Sequence, residues 1–272
     1  MSTATTHDVD YAARVVRLRA DLGQLPSLAV AFSGGVDSSV LLHAAHSVLG
    51  ERALGVIADS ASLPRAELAD ARAIAQKIGA RLVELPTREL EDPRYQRNAA
   101  DRCYFCKFAL FESMGEWCSE NSVAHLAFGE IADDLALLRH GSRAAREFGV
   151  LAPLAAAGFS KQDVRRYARE HGIDCAEKPA SACLASRLPT GTAVSRERLW
   201  RIESAEAELK QLGLRVLRVR DHAPKARVEV AHEELARARE LWPTIVAALT
   251  AVGFEAFELD TYRAPEARLD RS

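Results

Sequence analysis

The sequence lacks any unbroken apolar run of about 18 residues, so no segment reads as a membrane-spanning helix. It lacks a signal peptide as well: Met1 to Asp10 is polar, carries Asp8 and Asp10, and has no apolar core. A cytoplasmic protein without membrane partners is expected. An excess of one charge is also missing, because a formal net charge of -2 with 27% charged residues makes neither an acidic tail nor a basic nucleic-acid surface. That argues against an RNA partner. There are no internal repeats and no low-complexity tracts. The five cysteines, an odd number in a cytosolic chain, argue against a disulfide framework and leave metal binding, catalysis or burial.

What is there reads as alternating strand and helix. The 272 residues can bury one sizeable core and leave material for a smaller domain. Leu28 to Phe32 is a short apolar run, and Val36 to Leu49 places Val40, Leu41 and Ala44 at helical spacing. The alternation continues: Ala53 to Ala58 as strand, Pro64 to Ile78 as helix with Gly79 as its stop, Arg81 to Leu85 as strand. Such succession predicts an α/β fold with a doubly wound parallel sheet. Val123 to Phe128 predicts a further strand, and Ser160 with Asp163 opens a helix from Lys161 to His171. From Asp174 to Thr192 periodicity disappears, and structureless stretches of that length are usually functional or disordered. After Ser195 it returns, with a helix carrying Leu199, Ile202, Leu209 and Leu212, strands near 214–219 and 226–230, a helical stretch broken at Pro243, and a strand at 254–259. The organisation expected is a disordered tail at 1–10, a large domain at 11–194 and a small α/β substrate or oligomerisation domain at 195–272.

Between the first strand and the first helix lies Ser33-Gly34-Gly35-Val36-Asp37-Ser38-Ser39. Phosphates need backbone N–H donors at close range and a helix N-terminus facing them, and Gly34 and Gly35 clear side chains out of the way. Ser33, Ser38 and Ser39 add hydroxyl donors, and Asp37 is positioned to hold Mg²⁺ or to orient the loop. An ordinary glycine turn capped by serine is the plainer alternative. The G-x-x-x-x-G-K-[ST] spacing and its lysine are absent, so this is not a Walker loop.

Cys103-Tyr104-Phe105-Cys106 brings two thiols within reach of one metal or cluster at the start of a helix through Phe111. Redox chemistry and half of a zinc site are rivals. The other cysteine in a conspicuous setting is Cys183, in the run from Pro179 to Arg187. Three thiolates can hold three irons of a 4Fe-4S cluster and leave the fourth open to a sulfide. A zinc site completed by His125 or His140 is the alternative. Cys118 and Cys175 have no such setting and read as small buried hydrophobes.

The loop resembles the SGGxDS pyrophosphate loop of the PP-loop ATP pyrophosphatases, whose members cleave ATP between the α and β phosphates and adenylate a substrate oxygen. Four stretches narrow the resemblance: SGGVDSS at Ser33, RCYFCK at Arg102, Ala144 to Gly149 leading to Pro153-Leu154, and EKPASACLASRLPTG at Glu177. Leu217 to His222 followed by Ala226 to Val230 adds a fifth. Together they resemble the LarE-type ATP-dependent sulfur transferases of nickel-pincer nucleotide biosynthesis, over nearly the whole chain. The resemblance implies an adenine nucleotide alpha hydrolase-like fold. It also implies adenylation of a carboxylate of a pyridinium biscarboxylic acid mononucleotide with ATP and Mg²⁺, then sulfur transfer to a thiocarboxylate, repeated at the second carboxylate. Family members with one cysteine at the Cys183 position sacrifice its sulfur, whereas those with three use a 4Fe-4S carrier. This sequence has all three. A homo-oligomer is implied, and a sulfur-donor protein is a possible partner. Gly129-Glu-Ile-Ala-Asp-Asp134 stands where the family has GTNxDD, Thr190 replaces a common Tyr, and Tyr262-Arg-Ala-Pro265 departs from YRSG.

Further roles follow from residue type. Asp37 and Asp134 are candidates to share Mg²⁺, with a helix-cap role as the alternative. Arg218 and Arg220 alternate along a strand and so share a face, where guanidinium groups can clamp a substrate phosphate. Glu229 on the next strand either holds a metal or balances them. Arg187, four residues after Cys183, is the candidate to steady an acyl-adenylate or lower a thiol pKa, with a salt bridge as the plainer role. A tRNA thiolase, a thionation enzyme of secondary metabolism, an amidotransferase-type synthetase and a nucleotide sensor are the competing functions.

Overall fold

The structure is a computed structural model and describes residues 6–135, 140–178 and 181–263. Residues 1–5 of the expected tail, Pro179 with Ala180, Ala264 with Pro265, and the His140 side chain lie outside the described residues. The helix α1 (Thr6–Gly23) begins inside the stretch expected to be a tail and buries Tyr11, Leu18 and Leu22. Strand β1 (Leu28–Ala31) is buried at every position, as a central parallel strand must be. Helix α2 (Val36–Leu49), strand β2 (Ala53–Asp59), helix α3 (Arg65–Ile78) and strand β3 (Leu82–Pro86) follow, close to the expected bounds. Gly79 ends α3 at φ 82°, a left-handed conformation that glycine adopts without strain, and its N–H caps the carbonyls of Ala75 and Gln76. After the short helix α4 (Pro93–Gln96) come α5 (Arg102–Glu120), β4 (His125–Phe128), α6 (Ala132–Leu135), α7 (His140–Glu147) and α8 (Pro153–Ala156). Helix α9 (Lys161–Glu170) starts with a reciprocal cap, in which Asp163 N–H donates to Ser160 Oγ at 3.2 Å and Ser160 N–H to Asp163 Oδ2 at 2.9 Å.

The four strands form one parallel sheet in the order β3-β2-β1-β4. Alternate residues of β1 feed opposite layers. Leu28 and Val30 pack with α1, α2, α3 and α9, while Ala29 and Ala31 pack with Phe111 and Met114 of α5 and with Ala144 of α7. The chain runs outward from β1 through β2 to β3 and then returns to the other side of β1 as β4. Strand order therefore reverses at the β1/β4 boundary, the place where open α/β sheets bind ligands.

The chain divides into two compact units: residues up to Glu89 with Asp101–Ser181, and Leu90–Ala100 with residues from Ala182 on. The sequence reading put one boundary at 194/195. The earlier boundary and the small excursion have a backbone cause: Asn98 accepts from Gly191 N–H at 2.9 Å and its side chain donates to Pro189 O at 2.8 Å, while Val194 N–H donates to Gln96 O at 2.8 Å. The second unit then runs α10 (Arg196–Gln211), β5 (Leu217–His222), β6 (Lys225–Val230), α11 (Leu235–Glu240), α12 (Trp242–Ala251) and β7 (Ala256–Thr261). Its sheet order is β5-β6-β7, antiparallel then parallel, over a core that includes Leu209, Val219, Val228, Ile245 and Phe254. Among the described residues no helix is long and apolar enough to cross a membrane.

Candidate active site

The turn leaving β1 has a geometry that can receive an anion. Gly34 has φ +69°, and a Cβ there would sit 3.0 Å from the Cβ of Ala71 on α3, so both conformation and space require glycine. The serines brace the loop internally: Ser33 N–H donates to Ser38 Oγ at 3.2 Å, and Ser38 O–H donates to Gly35 O at 3.1 Å. Gly35 is the N-cap of α2 and no side chain caps the helix, so its first-turn N–H groups stay available to a phosphate. Ser39 is fully buried beneath the loop. From the far side, Gly129 at the end of β4 approaches so closely that a Cβ would lie 2.8 Å from Ser38 N. The altered GEIADD stretch thus keeps the one residue whose size the loop depends on.

The carboxylates expected to hold Mg²⁺ have protein partners. Asp37 accepts from Lys161 Nζ at 2.8 Å on each oxygen. Asp134 accepts from Ile131 N–H at 3.4 Å, and Asp133 accepts from Lys161 N–H at 2.8 Å. At the carboxyl ends of β2 and β3, buried Ser60 donates to buried Glu89, and Ser62 N–H donates to Ser60 Oγ at 3.0 Å. In the same unit, Cys103 is exposed and Cys106 half-buried on the first turn of α5, three residues apart and so on neighbouring positions of one face. Arg102 Nη2 lies 4.0 Å from Cys103 Sγ. Cys118 and Cys175 are buried, and burial pushes both thiols up, Cys118 to about 11. Neither has the character of a ligand.

Cys183 belongs to the second unit and opens the short 3₁₀ turn Leu184–Arg187. Arg187 is 3% exposed, and its guanidinium is spent on structure. It pairs with Glu206 in fork geometry, Nε to Oε1 at 2.9 Å and Nη2 to Oε2 at 3.1 Å, while Nη1 donates to the carbonyls of Ala182 at 2.5 Å and Cys183 at 3.0 Å. Arg187 therefore fixes the backbone that carries Cys183. Arg220 does related work: Nη1 donates to Ser186 O at 2.8 Å, and Nε and Nη2 bind Glu229 Oε2 at 3.0 and 2.8 Å. Glu229 also faces Arg227 at 3.5 Å, so it balances arginines. Arg218 differs from its neighbours. Its Nη1 donates to Leu217 O at 2.8 Å and its guanidinium lies 5.3 Å from the Tyr262 ring, but among the described residues no carboxylate pairs with it. Burial first, and the charge of Arg187 next, hold its pKa below the usual arginine range. A partly buried cation with two arginines beside it is where an anionic ligand gains most.

Among the described residues no three His, Cys, Asp or Glu side chains converge on a metal position. Cys103 and Cys106 lie in one unit and Cys183 in the other. Sequence reasoning missed Lys161, Gly129's close approach, the Ser60–Glu89 pair and Glu206. A signal existed for Glu206, which falls on the apolar face of α10 with Leu199, Ile202 and Leu209, so an acid there needs a buried cation. Lys161 had none, because its role depends on where α9 packs.

No family model matches the chain. It is 37% identical over 222 residues to an uncharacterized protein of Synechocystis, covering 82% of this chain and 83% of that one. It is 31% identical over 250 residues to the pyridinium-3,5-bisthiocarboxylic acid mononucleotide synthase of Lactiplantibacillus plantarum, covering 92% and 91%. An uncharacterized protein of Methanocaldococcus jannaschii is 29% identical over 202 residues, 74% and 76% of the two chains.

Proposed function

The chain belongs to the LarE family, and on that premise we propose that it is an ATP-dependent sulfur transferase converting carboxylates of a pyridinium-3,5-biscarboxylic acid mononucleotide into thiocarboxylates. The observation that carries the reading is the uncapped, glycine-lined start of α2 at the β1/β4 switch point. Ser33, Gly34, Gly35, Asp37 and Ser38 offer donors to a triphosphate there. Ser60 and Glu89, at the ends of the next strands, suit the ribose or base.

A carboxylate is a poor acyl donor because oxide is a poor leaving group. Its oxygen attacks the α-phosphorus, the bond to the bridging oxygen breaks, and pyrophosphate departs with the electron pair. The acyl-adenylate then accepts sulfur at carbon and expels AMP. Arg218 is the residue best suited to the acceptor's phosphate, with Arg220 holding the Ser186 carbonyl and Arg187 that of Cys183. Magnesium arriving with ATP would supply charge neutralisation, and Asp37 would hold it only on release from Lys161, which engages both its oxygens; Glu229, buried and engaged by two arginines, fits that role more poorly still.

For the sulfur, Cys103, Cys106 and Cys183 are the residues that would hold a 4Fe-4S cluster, and such a cluster would supply a carrier for sulfide. The competing route spends Cys183 itself: its thiolate takes the acyl group, the Cα proton is removed, and the Cβ–S bond breaks toward sulfur, leaving dehydroalanine. ATP, Mg²⁺ and a cluster are thus the proposed cofactors; a homo-oligomer, a sulfur-donor protein and a cytoplasmic site complete the reading. Anaerobic mass spectrometry of protein and product after turnover tests it. The expected product carries sulfur for oxygen, with Cys183 intact and pyrophosphate released. Loss of a sulfur mass at Cys183 selects the sacrificial route, and no sulfur in any product refutes the reading.

A further inference from the structure

One basic cavity has no part in the reading above. Lys161, Arg165 and Arg169 recur every four residues along α9 and so present three cations on one face. With Gln162 and Glu177 they line a cavity of about 330 Å³. The charges in its wall do not balance. Glu177 pairs with Arg169 at 2.8 Å and Lys161 with Asp37, but no carboxylate among the described residues pairs with Arg165, whose Nε is buried with no hydrogen-bond acceptor. A buried donor without a partner costs about 1–3 kcal/mol, so the Arg165 side chain is held at the cavity wall at a cost that its own protein partners do not offset. A guanidinium fork matches phosphate oxygens. Lys161 links this cavity to the phosphate loop, since it is a lining residue and its Nζ holds both oxygens of Asp37, at the start of α2.

We propose that this cavity is a second phosphoryl-anion site, distinct from the Gly34–Gly35 loop, and that it takes the inorganic pyrophosphate leaving the loop. The identity of the anion rests on the ATP-cleaving reading; the site itself does not. Pyrophosphate is favoured over a phosphate monoester because three cations against one carboxylate line the cavity, and because Lys161, which borders it, also binds Asp37 at the loop from which that product departs. Binding there would draw Lys161 off Asp37.

The test is calorimetric titration of the full chain with inorganic pyrophosphate, without ATP or acceptor, so its outcome is independent of whether the chain cleaves ATP. Saturable binding is expected, weakened at least about tenfold by Arg165→Gln, the loss of one charge-assisted bond. Arg165→Lys should fall between, since it keeps the charge and loses the fork. Circular dichroism and melting temperature of both variants guard against misfolding. Binding should persist when a non-hydrolysable ATP analogue saturates the loop. Wild-type affinity in Arg165→Gln, or abolition of binding by the analogue, overturns the proposal. So does tighter Arg165-dependent binding of AMP than of pyrophosphate.

Discussion

Removing the Arg187 guanidinium should cost far more than removing the whole ion pair. In Arg187→Met, Glu206 keeps a carboxylate that is 4% exposed with Val219 N–H, at 3.0 Å, as its remaining donor from β5. Breaking a buried pair from one side costs about 3–5 kcal/mol, because the surviving charge is neither solvated nor paired. Replacing both partners with apolar residues removes that charge, so Arg187→Met/Glu206→Leu should recover most of the loss. The two single costs will then exceed the double cost by several kcal/mol, a large coupling for residues in direct contact. Native-state amide exchange at Val219 and its neighbours on β5 and β6 reads the cost within the second unit, where a whole-chain melting temperature would mix two units. Because Arg187 Nη1 also holds the carbonyls of Ala182 and Cys183, iodoacetamide should modify Cys183 faster in Arg187→Met and in the double variant, but not in Glu206→Gln. Single-variant costs below about 1 kcal/mol, or costs that simply add, would refute a buried, solvent-free pair.

The remaining expectations address other parts of the molecule. Gly34→Ala and Gly129→Ala should each destabilise the first unit by roughly 1–3 kcal/mol and abolish nucleotide protection in a thermal-shift assay; a wild-type melting temperature with a wild-type ATP shift in either variant would contradict the close approaches at Ala71 and Ser38. In native protein without metal, thiol titration should modify Cys103, Cys106 and Cys183, leaving buried Cys118 and Cys175 until denaturant is added; five fast thiols would be inconsistent with the burial. Burial, and then the charges of His171, His46 and Arg19, keep the His43 pKa below the ordinary histidine value of 6.5. The unfolded chain therefore protonates first, so stability is intact above about pH 6.5 and falls as pH drops below it, by at most about 1.4 kcal/mol per pH unit for one proton. His222 behaves alike, so His43→Gln should reduce the slope without flattening it; an unchanged slope would refute the assignment.

Much of the first unit was legible because each βαβ step carries its own punctuation. Apolar runs that cannot be exposed mark β1 and β2, Gly79 marks the end of α3, and Ser160 with Asp163 marks the start of α9. The helix α1 was obscured by its charged residues, although Tyr11, Leu18 and Leu22 do recur at helical spacing and are the ones buried. In the site, the residue types could be read locally and their partners could not. Arg187 looked like an activating cation because the sequence gives no distance to Glu206, and Asp37 looked free because Lys161 lies 124 residues away. Gly129 seemed only to end a strand, since the approach that constrains it comes from α2.

The eleven-residue excursion Leu90–Ala100 matters for how this chain is made. Those residues leave the ribosome long before Pro189, Gly191 and Val194, the groups that Gln96 and Asn98 hydrogen-bond. While they wait, this strip lacks the donors that arrive with Gly191 and Val194. A fragment that stops near residue 181 would strand that strip for good, and a fragment that starts at 182 would lack it. Neither half can be produced cleanly by cutting the chain once.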